Sequence, residues 1–183
     1  RHIRLILLPI QLLKPRLREE HLVAVYETMD RPLLTVLKDM EARAAFLIGR
    51  GMARTMLAEV TGVPPADWRF GAGEHGRPEI LTPDTSWRFN LAHSHGMVAC
   101  ALASGRDVGV DIEYLDRPKS SHDVARRACA AAELADIEAA PEADRQERFL
   151  VYWTLKEAYL KARGLGISVH LADVAFDLSS GEP

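Results

Sequence analysis

Cysteine is scarce in this chain: Cys100 and Cys129 are the two in 183 residues, and no Cys-x-x-Cys occurs. That excludes a disulfide-built scaffold and points to a reducing compartment, the cytoplasm. Basic charge is not in excess either. A formal net charge of −3 leaves no footprint for nucleic acid or for a polybasic membrane contact. The opening Arg1-His-Ile-Arg-Leu-Ile-Leu-Leu-Pro9 has an apolar core too short to span a bilayer, and no small-residue cleavage site follows it. It reads as a strand, Ile3–Leu8. Repeats and low-complexity tracts are missing, and position 1 is Arg rather than Met, so the numbering is that of a trimmed or partial chain. What the sequence has is apolar residue, 48 % of the whole, enough for one domain or two intimately packed halves.

A short helix is expected over Glu19–Met29. A longer one is expected from an Asp39 N-cap to Val60, ahead of Gly62-Val-Pro-Pro. Arg43, Arg50 and Arg54 fall within roughly 40° of one another around that helix. They form either a solvated face or a strip for phosphate. Trp68–Ile80 is glycine-rich and reads as a turn region, with Arg77 pinned between Gly76 and Pro78; a planar guanidinium fork suits a phosphate.

Three strands are then expected. Trp87–Leu91 leads into the polar corner Ala92-His-Ser-His-Gly96. Met97–Ala103 is a continuous apolar run of the kind buried on both faces, and Val108–Glu113 alternates. Val108, Val110 and Ile112 share one face of that third segment, and Gly109, Asp111 and Glu113 the other. Two carboxylates on one face repel and call for compensation. A wet strand face supplies it, and so does a hard cation such as Mg²⁺, which takes oxygen ligands. His93 and His95 raise a zinc alternative, weakened by the lack of a third ligand pattern.

Glu133–Asp144 is acidic, alanine-rich and helical, broken at Pro141; a strand is expected at Val174–Leu178. Phe149–Arg163 reads as the end of a helix closed by Gly164. Trp153, Glu157 and Lys161, spaced by four, share one of its faces. On a solvated face Glu157 and Lys161 would form a surface ion pair worth a few tenths of a kcal/mol.

Taken in order, Gly76-Arg-Pro78, Phe89-Asn-Leu-Ala-His93-Ser94, Val108-Gly-Val-Asp111-Ile-Glu113 and Trp153-Thr-Leu-Lys156-Glu157-Ala-Tyr-Leu-Lys161 resemble the 4′-phosphopantetheinyl transferases, in their larger, surfactin-synthetase-activating type. The resemblance runs from near Arg43 to Gly166. It implies an α+β fold of two similar α/β halves, a pseudo-dimer within one monomeric chain, at about residues 1–104 and 105–183 with the active-site cleft between them. The second half ends at Pro183, short of the further strands that the family carries. The implied reaction moves 4′-phosphopantetheine from coenzyme A to a serine of an apo acyl or peptidyl carrier protein, with Mg²⁺ or Mn²⁺, releasing adenosine 3′,5′-bisphosphate.

By the same resemblance, Asp111, Glu113 and Glu157 match the metal-holding carboxylates. Lys161 matches the lysine at the phosphates, accompanied by Lys156. His93, Ser94, Arg77 and Pro78 match coenzyme A contacts, and Arg43 or Arg50 a 3′-phosphate contact. Glu157 is the implied base, directly or through a metal-bound water, and Lys161 its catalytic partner. Three positions depart from the family: Ala92 replaces a serine, Arg77 a lysine, and Ala128-Cys129 bulky aromatics in the carrier-facing region. The basic Lys119, Arg126 and Arg127 could steer an acidic carrier, or simply be solvated. A reading from another class remains beside the enzyme, a non-catalytic module that binds coenzyme A or a carrier protein.

Overall fold

The computed structural model describes residues 3–9, 40–115, 122–166 and 169–179, the first of these as backbone. The helix expected at Glu19–Met29, the Asp39 cap and Lys119 lie outside them. The chain is a mixture of helix and antiparallel sheet. Strand β1 (Ile3–Pro9) is followed by helix α1 (Met40–Thr61), a hairpin of β2 (Arg69–Ala72) and β3 (Pro78–Thr82), and a second hairpin of β4 (Trp87–Ser94) and β5 (Met97–Ser104). Helices α2 (His122–Ala128), α3 (Ala131–Ala139) and α4 (Arg145–Arg163) complete it. The main sheet has the order β1-β5-β4, antiparallel throughout.

β5 occupies the middle of that sheet because both its faces are apolar. Val98, Cys100 and Leu102 turn to α1, where they meet Ile48, Met52, Met56 and Leu57, with Phe89, Trp68 and Phe70 filling the same core. Ala99, Ala101 and Ala103 turn the other way, onto Val108 and Val110, with Ile112 packed alongside. Burying a side chain of Leu, Ile or Phe size gains ~1.5–3 kcal/mol over leaving it exposed, so the α1–sheet cluster is a large stabilising unit. The β4–β5 turn is tight. His93 pairs with Val98 and Ser94 with Met97, and His95 and Gly96 carry the positive φ values of 43° and 76° that a two-residue primed turn demands.

Three expectations change. Trp68–Ile80 is a bulged two-stranded ladder rather than turn alone, with Phe70 buried between α1 and the sheet. Val108–Glu113 keeps its alternation but joins no ladder. Gly109 is pressed against α4, where an added Cβ would lie 1.8 Å from the Ala158 carbonyl oxygen, and the Val110 N–H is taken by the Asn90 side chain at 3.0 Å. Val174–Leu178 is not a strand either. It lies against α3 and α4, with Phe176 and Leu178 on a third cluster that includes Ile137, Phe149, Leu150 and Tyr152.

Candidate active site

α4 sorts its residues by helical spacing. Phe149, Tyr152, Lys156 and Leu160 are buried. One position further round, Trp153, Glu157 and Lys161 line an open cleft of about 820 Å³. The helix ends where expected: Gly164 adopts the left-handed conformation at φ 65° and donates back to the Leu160 and Lys161 carbonyls. Across the cleft stand His75, Gly76, Arg77 and Pro78 from the β2–β3 connection, and Asn90 and Leu91 from β4. Arg127 and Ala128 of α2 and the segment Val169–Leu171 close its sides.

Lys161 reaches across from α4 to the 108–113 segment. Its Nζ lies 2.6 Å from Asp111 Oδ1 and donates to the Val110 carbonyl at 3.2 Å. Lys161 thus forms a tertiary pair, in place of the surface pair with Glu157 that a solvated helix face would give. Burial pushes the Asp111 carboxyl above the ordinary aspartate range; the Lys161 hydrogen bond and charge oppose that, and the Glu113 charge adds to it. Burial also raises Glu157, with repulsion from Asp111 and Glu113 in the same direction and Lys161 against. The three carboxylates therefore feel one another. Among the described residues, no three His, Cys, Asp or Glu side chains are gathered closely enough to hold a metal ion. Asp111 Oδ2 is nevertheless buried with no hydrogen-bond partner, and an unsatisfied carboxylate oxygen within electrostatic reach of two further carboxylates suits a hard divalent cation.

Arg77 lies in the cleft, tethered by Asp107 at 2.6 Å, and its stem touches the C-terminal end of α4, where a Cβ on Gly164 would meet Arg77 Cδ at 3.3 Å. The other basic expectations fare differently. Arg50 is 5 % exposed, its guanidinium over the rings of Phe46 and Phe70 at 5.0 and 5.6 Å. Arg54 sits over Phe70 at 4.5 Å. Arg50 is therefore a packed core arginine and no cleft residue, and half-buried Arg43 does not line the cleft. Lys156 does not line the cleft either: it is wholly buried, 2.6 Å from Glu133. His93 is exposed at the end of β4, and Ser94 Oγ lies 3.3 Å from His95 Nδ1; neither lines the cleft. His95 stacks on Tyr114 with ring centroids 4.6 Å apart, which leaves the zinc alternative without a cluster among the described residues.

Two contributors escaped the sequence reading. Asn90 is 3 % exposed, and its carbonyl fixes the 108–113 segment beside the cleft. A lone amide between Phe89 and Leu91 in an apolar strand was the available signal. Glu133, at the head of the acidic, alanine-rich run Glu133–Asp144, is 1 % exposed.

With this geometry in place, comparison with known proteins is informative. The profile of the 4′-phosphopantetheinyl transferase superfamily matches residues 107–183, the part that supplies Asp111, Glu113, Glu157 and Lys161. The chain is 34 % identical over 145 residues to the 4′-phosphopantetheinyl transferase HetI of Nostoc sp., covering 78 % of this chain and 61 % of that protein. It is 35 % identical over 126 residues to a 4′-phosphopantetheinyl transferase of Bacillus subtilis (68 % and 54 % covered), and 32 % identical over 126 residues to Sfp of Bacillus subtilis strain 168, with the same coverage. The resemblance read from the motifs thus stands: the chain is a relative of the 4′-phosphopantetheinyl transferases. It spans about half to three fifths of the length of these relatives. No helix among the described residues is long and apolar enough to cross a membrane.

Proposed function

We propose that the chain transfers 4′-phosphopantetheine from coenzyme A to a serine of an apo acyl or peptidyl carrier protein. The observation that carries this reading is the cleft itself, with Arg77 on one wall and Glu157 and Lys161 on the other. Its walls come from residues 75–91 and 124–171, which fits two halves, 1–104 and 105–183, meeting at the site as a pseudo-dimer in a monomer.

Phosphoryl transfer asks mainly for positioning and for neutralised charge on the phosphate oxygens. Arg77, held by Asp107, offers its remaining donors to a coenzyme A phosphate. Lys161 places an ammonium beside the pyrophosphate. Asp111, Glu113 and Glu157 would hold Mg²⁺, or Mn²⁺ in its place, and the ion would supply further positive charge there. Glu157, whose affinity for protons is raised by burial and by its acidic neighbours, takes the proton from the carrier serine. The serine oxygen then attacks the phosphorus attached to pantetheine, and the bond to adenosine 3′,5′-bisphosphate breaks.

Coenzyme A labelled in its pantetheine arm, mixed with the protein, Mg²⁺ and a panel of apo carriers, tests the reading. Label should pass to at least one carrier and stop on chelation of the metal. Coenzyme A binding without transfer to any carrier would favour the non-catalytic binding module.

A further inference from the structure

We infer that Lys156 and Glu133 form a buried latch that holds residues 170–176 against α3 and α4 and so fixes one wall of the cleft; its functional consequence rests on the reading of that cleft given above. Both side chains are essentially inaccessible, 0 % and 1 % exposed. Lys156 Nζ lies 2.6 Å from Glu133 Oε2 and donates to the Leu171 carbonyl at 3.0 Å and to that of Val174. Glu133 Oε1 accepts the Phe176 N–H at 2.9 Å, while Oε2 accepts the Ala130 N–H at 2.7 Å. One pair thereby satisfies three backbone groups of a segment that belongs to no ladder.

An apolar pair could fill the same space without the cost of removing two charges from water. It could not hold those backbone groups, which must be paired when buried. The same stretch delivers His170 and Leu171 to the cleft lining, whereas Lys156 and Glu133 do not line it. They are positioning residues. The departure of Lys156 from its expected phosphate contact follows from this, since its ammonium is committed to a carboxylate and two carbonyls.

Hydrogen exchange on the full chain, with coenzyme A kinetics on the same samples, tests the latch in Glu133→Gln and Lys156→Met. Glu133→Gln keeps the shape but cannot serve all three donors. Amides in 170–176 should exchange about tenfold faster, the effect of losing one buried hydrogen bond, while β4 and β5 stay protected. The coenzyme A KM should rise several-fold with kcat within about twofold of wild type. Unchanged exchange in 170–176 would overturn the latch, and faster exchange with an unchanged KM would overturn its link to the cleft. A Lys156→Met enzyme that loses kcat while Glu133→Gln behaves as wild type would make Lys156 a phosphate contact instead. Should Lys156→Met not fold, Glu133→Gln decides alone. Failure of the wild-type protein to bind coenzyme A would count against the cleft reading, and exchange would still judge the latch.

Discussion

Gly109 shows most directly how one residue sets the site. No side chain fits there, because a Cβ would sit 1.8 Å from the Ala158 carbonyl oxygen and 2.6 Å from the Ala162 nitrogen. Gly109→Ala must push the 108–113 segment off α4, with an expected loss of about 1–3 kcal/mol and a lowered Tm. Gly51, inside α1 with nothing within 4 Å of an added Cβ, is the control. Gly51→Ala should leave stability level or raise it by up to about 1 kcal/mol, read as a Tm that does not fall. Arg77→Ala belongs to the same scale. Coenzyme A KM should rise while Tm stays nearly fixed, since Asp107, the partner of Arg77, is 54 % exposed and such a pair is worth little. If Arg77 reads the 3′-phosphate, 3′-dephospho-coenzyme A should suffer a smaller penalty in the variant than in the wild type; an equal penalty would place that contact elsewhere.

Elements declare themselves in sequence when their own periodicity and caps decide them. α1 and α4 are legible because each is a long run made mostly of helix formers, and Gly164 marks the end of the second. β5 was legible because both its faces are apolar. The segments 108–113 and 174–178 read as strands and are not, because side chains from elsewhere take up their backbone groups: Asn90 in one case, Glu133 and Lys156 in the other. Alternation reports which face is buried and says nothing of who satisfies the amides. Of the arginine row of α1, Arg50 and Arg54 lay their guanidinium groups over Phe70, a packing role that helical spacing alone does not announce.

Between α3 and α4, Asp136 accepts from Arg148 Nε at 2.6 Å and from Tyr152 Oη at 2.7 Å. The Arg148 bond, then that of Tyr152, holds the Asp136 carboxyl below its ordinary range, and burial pushes the Tyr152 hydroxyl up to about 12. A lowered carboxylate stabilises the fold above its unfolded value, near 3.9, and that contribution disappears as pH falls through the folded value. Acid unfolding should therefore be less steep below about pH 4 in Asp136→Asn, measured by urea midpoints across pH. An identical pH profile would remove the inter-helix tie from the account.

At the scale of the whole molecule, the cleft joins the β2–β3 hairpin and β4 to helices α2 and α4, and Glu157 on its wall feels the charges of Asp111 and Glu113, which do not line it, at an electrostatic cost. Without metal, Glu157→Gln should leave Tm level or raise it at neutral pH, because a carboxyl whose affinity for protons is raised destabilises the fold once ionised. Asp111→Asn should likewise leave it level or raise it, since burial outweighs the Lys161 bond and charge and raises the Asp111 carboxyl too. The most direct measurement is the intact mass of an apo carrier protein after incubation with coenzyme A at saturation, Mg²⁺ and either the wild-type chain or Glu157→Gln. The account predicts a phosphopantetheine adduct with the wild type and almost none with the variant. Equal modification by both would contradict it.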